Sequence, residues 1–176
     1  MIKTGQITKG RIFLVILPSQ EIQKNVDSEV ARLVKRDKTS IVYVSLNKPY
    51  SLLSQSWKKK KIGLDKILFI DCLTAGVVEK QNGKNVIYDL TPNSLTSISL
   101  AISTFLKSVK GKKAIVMDSL STLLIYNELS MVARFTNDLV EKARASQAKA
   151  IIFTTKHEEL LNKVSLFFDR IIKKEG

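Results

Sequence analysis

Residues 12–25 read IFLVILPSQEIQKN, a six-residue apolar run followed at once by a helical pattern. Further short runs rich in Ile, Val and Phe recur along the chain, at Ile41–Ser45, Ile67–Ile70, Ala114–Met117, Ala150–Phe153 and, more weakly, Arg170–Ile172. They are nearly continuous rather than alternating, which is typical of strands buried on both faces. Because amphipathic helical segments separate them, the sequence predicts an α/β fold: a mainly parallel central sheet with helices on both faces.

The chain length indicates one domain. A chain of 176 residues fits a single domain of ordinary size, so we expect residues 1–176 to form one unit. The segment 74–91 interrupts the alternation of strands and helices. Its polar stretch Gln81–Lys84 lies between two short Val/Ile runs and predicts a small hairpin or loop insertion.

Composition excludes several classes of site. Lys and Arg number 29 against 16 Asp and Glu, so nucleic acid, an acidic protein or an anionic surface remain open as partners. One cysteine and one histidine exclude a disulfide framework, a multi-cysteine zinc site and a paired-histidine metal site. No run is long enough to cross a membrane, and the N-terminus lacks a signal-peptide cleavage pattern. We therefore expect a cytoplasmic protein without a membrane partner.

The strand-to-helix junction after Leu17 is the first candidate site. A phosphate-binding loop has the pattern G-x-x-x-x-G-K-[ST], and residues 18–25 keep its spacing and its lysine, Lys24. Both glycines and the hydroxyl are missing, and Asn25 stands where the hydroxyl would bind magnesium. Proline at position 18 also removes a backbone amide. The alternative is an ordinary helix start, with Ser19 as its cap and Glu21 in its first turn.

The end of the run at residues 114–117 is the second candidate site. Asp118 closes this hydrophobic run, where an aspartate beside a phosphate loop would hold magnesium through water. The alternative is that Asp118 caps the following turn through the amides of Leu120 or Ser121. Past Ile41–Ser45, the position of a catalytic acid holds Asn47, which cannot accept a proton at neutral pH.

Three other residues are predicted at the same edge of the sheet. Asp71 follows the third run, and together with Asp118 it could bind a divalent cation if the fold brings the two carboxylates together. Cys72 is expected to be a buried apolar side chain. His157 follows the fifth run, and we expect it to cap a helix or lie at the surface rather than to sense a ligand.

The densest run of charge is Trp57, Lys58, Lys59, Lys60 and Lys61. A basic tract beside an aromatic ring can grip phosphates and stack a base, which makes it a candidate nucleic-acid site. The alternative is a helix end whose lysines complement the helix dipole, followed by Gly63 as a stop. Lysines are spread evenly along the chain, which favours a lysine-rich composition over a local binding patch.

The chain resembles the archaeal KaiC-like branch of the RecA superfamily, and in particular members without an intact phosphate loop. The resemblance runs from Gly10 to Lys173, and its most specific stretch is Val116–Asn127, VMDSLSTLLIYN. It implies a RecA-like three-layer sandwich. It also implies that Lys24 stands at the phosphate-loop lysine, Asp118 at the magnesium-site aspartate, and Asn47 in place of the catalytic glutamate.

Three functions follow as hypotheses. The first is a non-catalytic RecA/KaiC-like domain that acts as an interaction or regulatory module, with a protein partner or further copies of itself. The second is binding of ATP or another nucleotide without efficient hydrolysis, through Lys24, Asn25 and Asp118, with Mg and ATP as cofactors. The third is nucleic-acid association through residues 57–61. No catalytic residue is assigned, and no metal site other than Asp118 with a bound nucleotide. The apolar loop Ser119–Asn127 is expected to be core or to dock a neighbouring subunit.

Overall fold

The computed structural model describes residues 11–76 and 84–174. Its centre is a seven-stranded sheet in which every paired strand is parallel, in the order β4-β3-β2-β5-β6-β1-β7. The strands are β1 Ile12–Ile16, β2 Ser40–Ser45, β3 Ile67–Asp71, β4 Val86–Ile87, β5 Lys113–Asp118, β6 Lys149–Thr154 and β7 Arg170–Lys173.

Five α-helices connect these strands: α1 Ser19–Ala31, α2 Tyr50–Lys59, α3 Leu95–Ser108, α4 Leu129–Ala145 and α5 Glu158–Val164. A π-helical turn, Arg32–Arg36, continues α1, and 3₁₀ turns occupy Leu120–Ile125 and Ser165–Phe167. The helices α1 and α2 pack on one face of the sheet, and α3, α4 and α5 pack on the other.

Alternate residues of each strand feed the two halves of the core. In β1, Leu14 packs on the α3/α4 side, whereas Phe13 and Val15 pack on the α1/α2 side. All five residues of β1 are buried, which explains the unbroken apolar run in the sequence. The prediction of an α/β fold with a parallel sheet and helices on both faces is confirmed.

The segment 74–91 differs in part from the expectation. Val86–Ile87 forms β4, a two-residue edge strand that pairs in parallel with Phe69 and Ile70 of β3. Residues 77–83, on which the predicted hairpin falls, lie outside the described residues. Within the described ranges, the structure has no helix that is both long and apolar enough to cross a membrane.

Candidate functional site at the carboxyl edge of the sheet

A cleft of about 390 Å³ lies at the carboxyl edge of the central strands. Because β2, β5, β6 and β1 are neighbours in the parallel sheet, their following segments meet at this edge. The cleft is lined from these four segments by Ser19, Ile22, Gln23, Asn47, Lys48, Asp118, Ser119, Ser121, Thr122, Ile125, Thr155 and His157.

Asp118 forms the floor of the cleft and is only 1% exposed. Its Oδ2 accepts a hydrogen bond of 2.9 Å from the Tyr43 hydroxyl, and its Oδ1 accepts one of 2.6 Å from Nδ2 of Asn47. Burial raises the pKa of Asp118 above its ordinary value, although these two hydrogen bonds and the charge of Lys48 oppose the rise. No described amide of the following turn bonds this carboxylate, so the predicted capping role of Asp118 is wrong.

A chain of hydroxyl groups crosses the cleft from Asn47 to Thr155. Thr122 donates to Oδ1 of Asn47 at 2.7 Å, and its hydroxyl lies 3.2 Å from that of Ser119. The Ser119 hydroxyl lies 3.1 Å from that of Ser121, which in turn accepts from the hydroxyl of Thr155 at 2.9 Å. These hydroxyl groups contact one another, so the rim of the cleft is polar and internally satisfied.

The start of α1 differs from a phosphate-binding loop. The helix begins at Ser19, and only Leu17 and Pro18 separate it from the end of β1. Residues 19–25, which would form most of a phosphate-binding loop, are therefore already helical. Lys24 is exposed and does not line the cleft, and Asn25 is buried, with its Nδ2 donating to the Glu21 carbonyl at 2.9 Å. Gln23, which the sequence reasoning missed, lines the cleft instead.

The helix start also departs from the simpler prediction. Pro18, not Ser19, is the cap residue of the helix, and among the described residues no side chain caps it, so the predicted capping by Ser19 is wrong. Glu21 lies in the first turn as expected. The sequence can predict that Gln23 faces the cleft only if the first residue of the helix is known. Adjacent helical residues point about 100° apart, so a shift of one residue in the helix start changes which side chain faces the cleft.

The carboxylates of Asp71 and Asp118 do not form one cation site. Both residues pair in register with Ser45 of β2, from opposite sides, so a whole strand separates them. Asp71 is committed to its own loop, because its oxygens accept from the amides of Tyr50, Leu73 and Thr74 at 2.8–3.1 Å. Among the described residues, no group of three or more His, Cys, Asp or Glu side chains could hold a metal ion.

The remaining candidates at this edge are structural. His157 precedes α5 and caps it, since its Nδ1 accepts from the Leu160 amide at 3.3 Å, as expected. Cys72 is buried, as expected, and burial followed by the charge of Asp71 raises the pKa of its thiol to about 12. In the stretch Ser119–Asn127, Leu120 and Leu123 are core residues, whereas Ile125 is 74% exposed.

The interpretation of Trp57 as a stacking platform is wrong. Its ring is 0% exposed and packs edge-on against Tyr43 at a centroid distance of 5.2 Å. Its Nε1 donates to Oδ1 of Asp27 at 2.6 Å, and Lys60 pairs with the other oxygen of the same carboxylate. Lys58, Lys59 and Lys61 remain exposed at and just beyond the end of α2.

The cleft fits a magnesium–nucleotide group poorly. A phosphate cradle needs several backbone amides turned inward from a glycine-rich loop, and here the helix begins without such a loop. The carboxylate of Asp118 already accepts two hydrogen bonds from the protein, which would have to rearrange around a cation and its waters. The other polar side chains that line the cleft include Lys48, the hydroxyl chain, and Gln23, whose Nε2 donates to Oδ1 of Asp27 at 2.8 Å.

Comparisons with known proteins agree with this fold. Residues 3–176 match the model of a family of unknown function (DUF7090). The crystal structure of the KaiC-like protein PH0186 from the hyperthermophilic archaeon Pyrococcus horikoshii OT3 superimposes with a TM-score of 0.64 at 12% identity, covering 93% of this chain and 70% of that one. A search of curated proteins found no match. At this identity the likeness shows the fold alone, and it confirms the predicted RecA-like α/β architecture.

Proposed function

We propose that this chain, which belongs to the DUF7090 family, is a non-catalytic RecA/KaiC-like domain that serves as an interaction or regulatory module. The observation that carries the proposal is the hydrogen bonding of the Asp118 carboxylate. Both of its oxygens accept hydrogen bonds from Tyr43 and Asn47, so the one acidic group on the floor of the cleft is part of the fold's internal polar network.

The chemistry around Asp118 also argues against turnover. Asn47 lies beside it, and an amide cannot accept a proton from an attacking water. Lys24 is exposed on the second turn of α1 and does not line the cleft. The described residues around the cleft provide no phosphate cradle and no base at position 47, so they do not supply the positioning and charge stabilisation on which phosphoryl transfer depends.

An interaction role is supported by apolar side chains at the surface. Ile125 is 74% exposed at the rim of the cleft, and the adjacent Tyr126 is 50% exposed. On the α3/α4 face, Leu100 is 66% and Met131 is 47% exposed, beside a groove of about 590 Å³. Exposed apolar side chains in such groups are typical of surfaces that bind another protein.

A second candidate function is nucleotide binding without hydrolysis. It is favoured by the polar rim of the cleft, where Lys48 and the hydroxyl groups of Ser121 and Thr122 are within one concave site. In this candidate the ligand lies on the rim, and Asp118 keeps its bonds to the protein.

A phosphate-release assay with Mg·ATP separates the proposal from an active enzyme. We expect the wild type to release phosphate no faster than the Asp118→Ala variant and the buffer. Turnover in the wild type that Asp118→Ala abolishes would contradict the non-catalytic assignment.

Sedimentation velocity over a wide concentration range tests the interaction role for copies of the same chain. If the exposed side chains mediate self-association, the Ile125→Ser/Tyr126→Ser variant should be monomeric where the wild type is not. Identical sedimentation of both proteins as oligomers would exclude this surface as the contact.

A further inference from the structure

The amino edge of the sheet, opposite the cleft, carries a row of basic residues. Every strand starts at this edge, because all strands of the sheet are parallel. Each strand has a basic residue at its first position or within the two positions before it. In the order of the sheet from β4 to β7, these residues are Lys84, Lys66, Lys38, Lys112 with Lys113, Lys149, Arg11 and Arg170. We call these eight residues the amino-edge row.

The charge of the two edges differs. The three-residue windows that define the amino-edge row contain eight basic residues and two acidic ones, Asp65 and Asp169. Of these two, Asp169 is paired with Arg144 at 2.7 Å. The corresponding windows at the carboxyl ends of the strands contain, among described residues, three basic side chains (Lys156, Lys173, Lys174) and three acidic ones (Asp71, Asp89, Asp118). The domain therefore has one strongly positive edge.

The helix ends extend this positive edge. The helices run back from the carboxyl edge to the amino edge, and α2 and α3 end there with Lys58, Lys59 and Lys107 in their last turns. Cations at helix C-termini complement the helix dipole, which accounts for these three lysines. Within the row, Lys113 has a similar role, because its Nζ donates to the carbonyls of Leu106 and Val109 at the end of α3. The structure describes no such contact for the exposed strand-start residues such as Lys66 and Lys112, and sheets carry only small net dipoles that would favour a charge there.

Most of the row is available for a partner. The side chains of Arg11, Lys38, Lys66, Lys84 and Lys112 are exposed, and none of them forms an ion pair with any residue that the structure describes. Uncompensated like charges at this density repel one another, so a polyanion that binds them gains energy from each contact. These five positive charges are therefore not balanced by ion pairs within the described part of the protein.

A hollow of about 280 Å³ lies at the middle of the row. Arg11, Lys112, Lys113 and Lys149 line it, with Asp37 as its acidic residue. Asp37 is already engaged by Arg32 at 2.5 Å. Burial, followed by the charge of Arg32, lowers the pKa of Lys149. The hollow is therefore a concave, electropositive place of a size that admits a phosphate group.

Tight turns hold the row in place. Lys38 and Gln147 adopt left-handed backbone angles, with φ of 55° and 53°, at the turns just before β2 and β6. Gly111, with φ of 82°, does the same before β5. Because these turns are short, the basic residues that they carry are fixed within a residue or two of the strand starts.

We propose that the amino-edge row binds the phosphate backbone of a double-stranded nucleic acid without reading its sequence. Neighbouring strands lie about 4.8 Å apart, so the row spans about 29 Å from β4 to β7. Along a duplex, with one phosphate per strand every 3.4 Å, this length corresponds to about eight or nine base pairs. The row is long enough to contact several phosphates at once.

The surroundings of the row favour a duplex over a single strand. Proteins that bind single strands stack bases on exposed aromatic rings. Phe13, Phe69 and Phe168, which lie within two residues of strand starts, are 0%, 1% and 9% exposed, and Trp57 is also buried. Contacts to phosphates alone suit a duplex, whose bases are already stacked.

The test is fluorescence anisotropy with a 24-base-pair DNA duplex, the same sequence as duplex RNA, and one of its DNA strands. We expect the wild type to bind both duplexes more tightly than the single strand. The logarithm of the affinity should fall against the logarithm of salt concentration with a slope of about −3.6 or steeper, for four or more phosphate contacts. Tighter binding of one duplex than of the other would show whether the row binds DNA or RNA.

The decisive variant replaces Arg11, Lys66, Lys84 and Lys112 by Gln. Its matched control replaces four exposed lysines near the carboxyl edge, Lys24, Lys48, Lys156 and Lys173, by Gln and so has the same net charge. We expect the first variant to lose at least tenfold in duplex affinity at 50 mM salt and the control to lose less than threefold. Circular dichroism melting of both variants checks that they fold.

Three results would overturn the proposal. One is wild-type protein that does not bind duplex at 50 mM salt. Another is equal loss of affinity in the two variants, which would mean that overall charge rather than the amino-edge row attracts the duplex. The third is binding of polyglutamate as tightly as of duplex, which would assign the row to an acidic polypeptide.

Discussion

The hydroxyl of Tyr43 donates a hydrogen bond of 2.9 Å to Oδ2 of Asp118, joining two neighbouring strands inside the core. Tyr43 is 0% and Asp118 is 1% exposed. A buried carboxylate keeps its charge only if the protein supplies donors, and here Tyr43 and Asn47 supply them. This arrangement gives Asp118 a role in the fold and underlies the proposal that the domain is not an ATPase.

Replacement of Tyr43 by Phe should remove one of the two donors to Asp118. A hydrogen bond to a charged group contributes about 1.5–3 kcal/mol, so we expect the free energy of unfolding at pH 7.5 to fall by about that amount. Tyr50→Phe is a suitable control, since Tyr50 is half-buried and its hydroxyl makes no hydrogen bond among the described residues. Urea denaturation of the three proteins measures both effects.

The pH dependence of the Tyr43→Phe effect has a defined sign. Burial already raises the pKa of Asp118 in the folded protein, so ionisation of this group costs stability above that pKa and the cost is removed as pH falls below the unfolded value. Loss of the Tyr43 donor raises the folded pKa further. The destabilisation by Tyr43→Phe should therefore be smaller at acidic pH, and an effect equal at all pH values would contradict the assignment.

The fluorescence of Trp57 should show that its ring is buried. It is the single tryptophan of the chain, its exposure is 0%, and it donates to Asp27. We expect blue-shifted fluorescence that acrylamide quenches weakly in the native protein and strongly in urea. Addition of single-stranded DNA should leave this emission unchanged, whereas quenching by the nucleic acid would restore the stacking role that the structure contradicts.

Cys72 should be inert to thiol reagents in the folded state. The thiolate is the reactive form, and the pKa of about 12 leaves very little of it at pH 8. We expect Ellman's reagent to react with the native protein only at the rate of unfolding and at once in denaturant. Rapid labelling of the native protein would mean that the segment after β3 opens readily.

Asp169 should contribute stability that is lost in acid. Partial burial raises its pKa, but the hydrogen bonds from Arg144 and from the amides of Arg11 and Ile12 outweigh burial and hold the pKa below its ordinary value. Its contribution is therefore present above an unfolded pKa of about 3.9 and is lost as pH falls through the lower folded value.

The corresponding variant is Asp169→Asn. We expect it to cost about 1 kcal/mol at pH 7, a modest value because the site is partly exposed and screened, and to cost less towards pH 2. Glu141→Gln is the control, because its contact with Arg144 is 3.3 Å long and its side chain is 63% exposed. Equal effects of the two substitutions would show that Asp169 adds no more than a surface ion pair.

The sequence was sufficient for most of the fold, since five of the seven strands contain an apolar run of four residues or more, and β7 was visible as a weaker one. The strand β4 was not predictable in the same way, because Val86–Ile87 is too short to show a period and forms only by pairing with β3. The helix α5 has seven residues and a weak apolar pattern, and its start is fixed by His157.

The cleft was predictable in position but not in detail. Parallel strands bring their carboxyl ends together, so Asn47 and Asp118 were expected at one edge. That the amide of Asn47 bonds Asp118 depends on a contact between residues 71 positions apart, which no local pattern encodes. The choice between Gln23 and Lys24 depends on the first residue of α1, and a helix start is uncertain by a residue or more from sequence.

The amino-edge row, unlike the cleft, was not predicted from the sequence in its position. Evenly spaced lysines suggested a general composition rather than a patch, but parallel topology brings the start of every strand to one edge. Residues as distant in sequence as Arg11 and Lys149 thereby line one hollow. Even spacing along a chain is therefore weak evidence against a charged surface when the sheet is parallel.

The most direct test of the central claim is a melting curve with and without millimolar Mg·ATP. A ligand present at 100 times its Kd adds about 2.7 kcal/mol, which for a domain of this size corresponds to about 5–10 °C. We predict no shift in the melting temperature, for the wild type and for Asp118→Ala alike. A shift of several degrees that Asp118→Ala erases would contradict the account and would assign a working nucleotide site to the cleft.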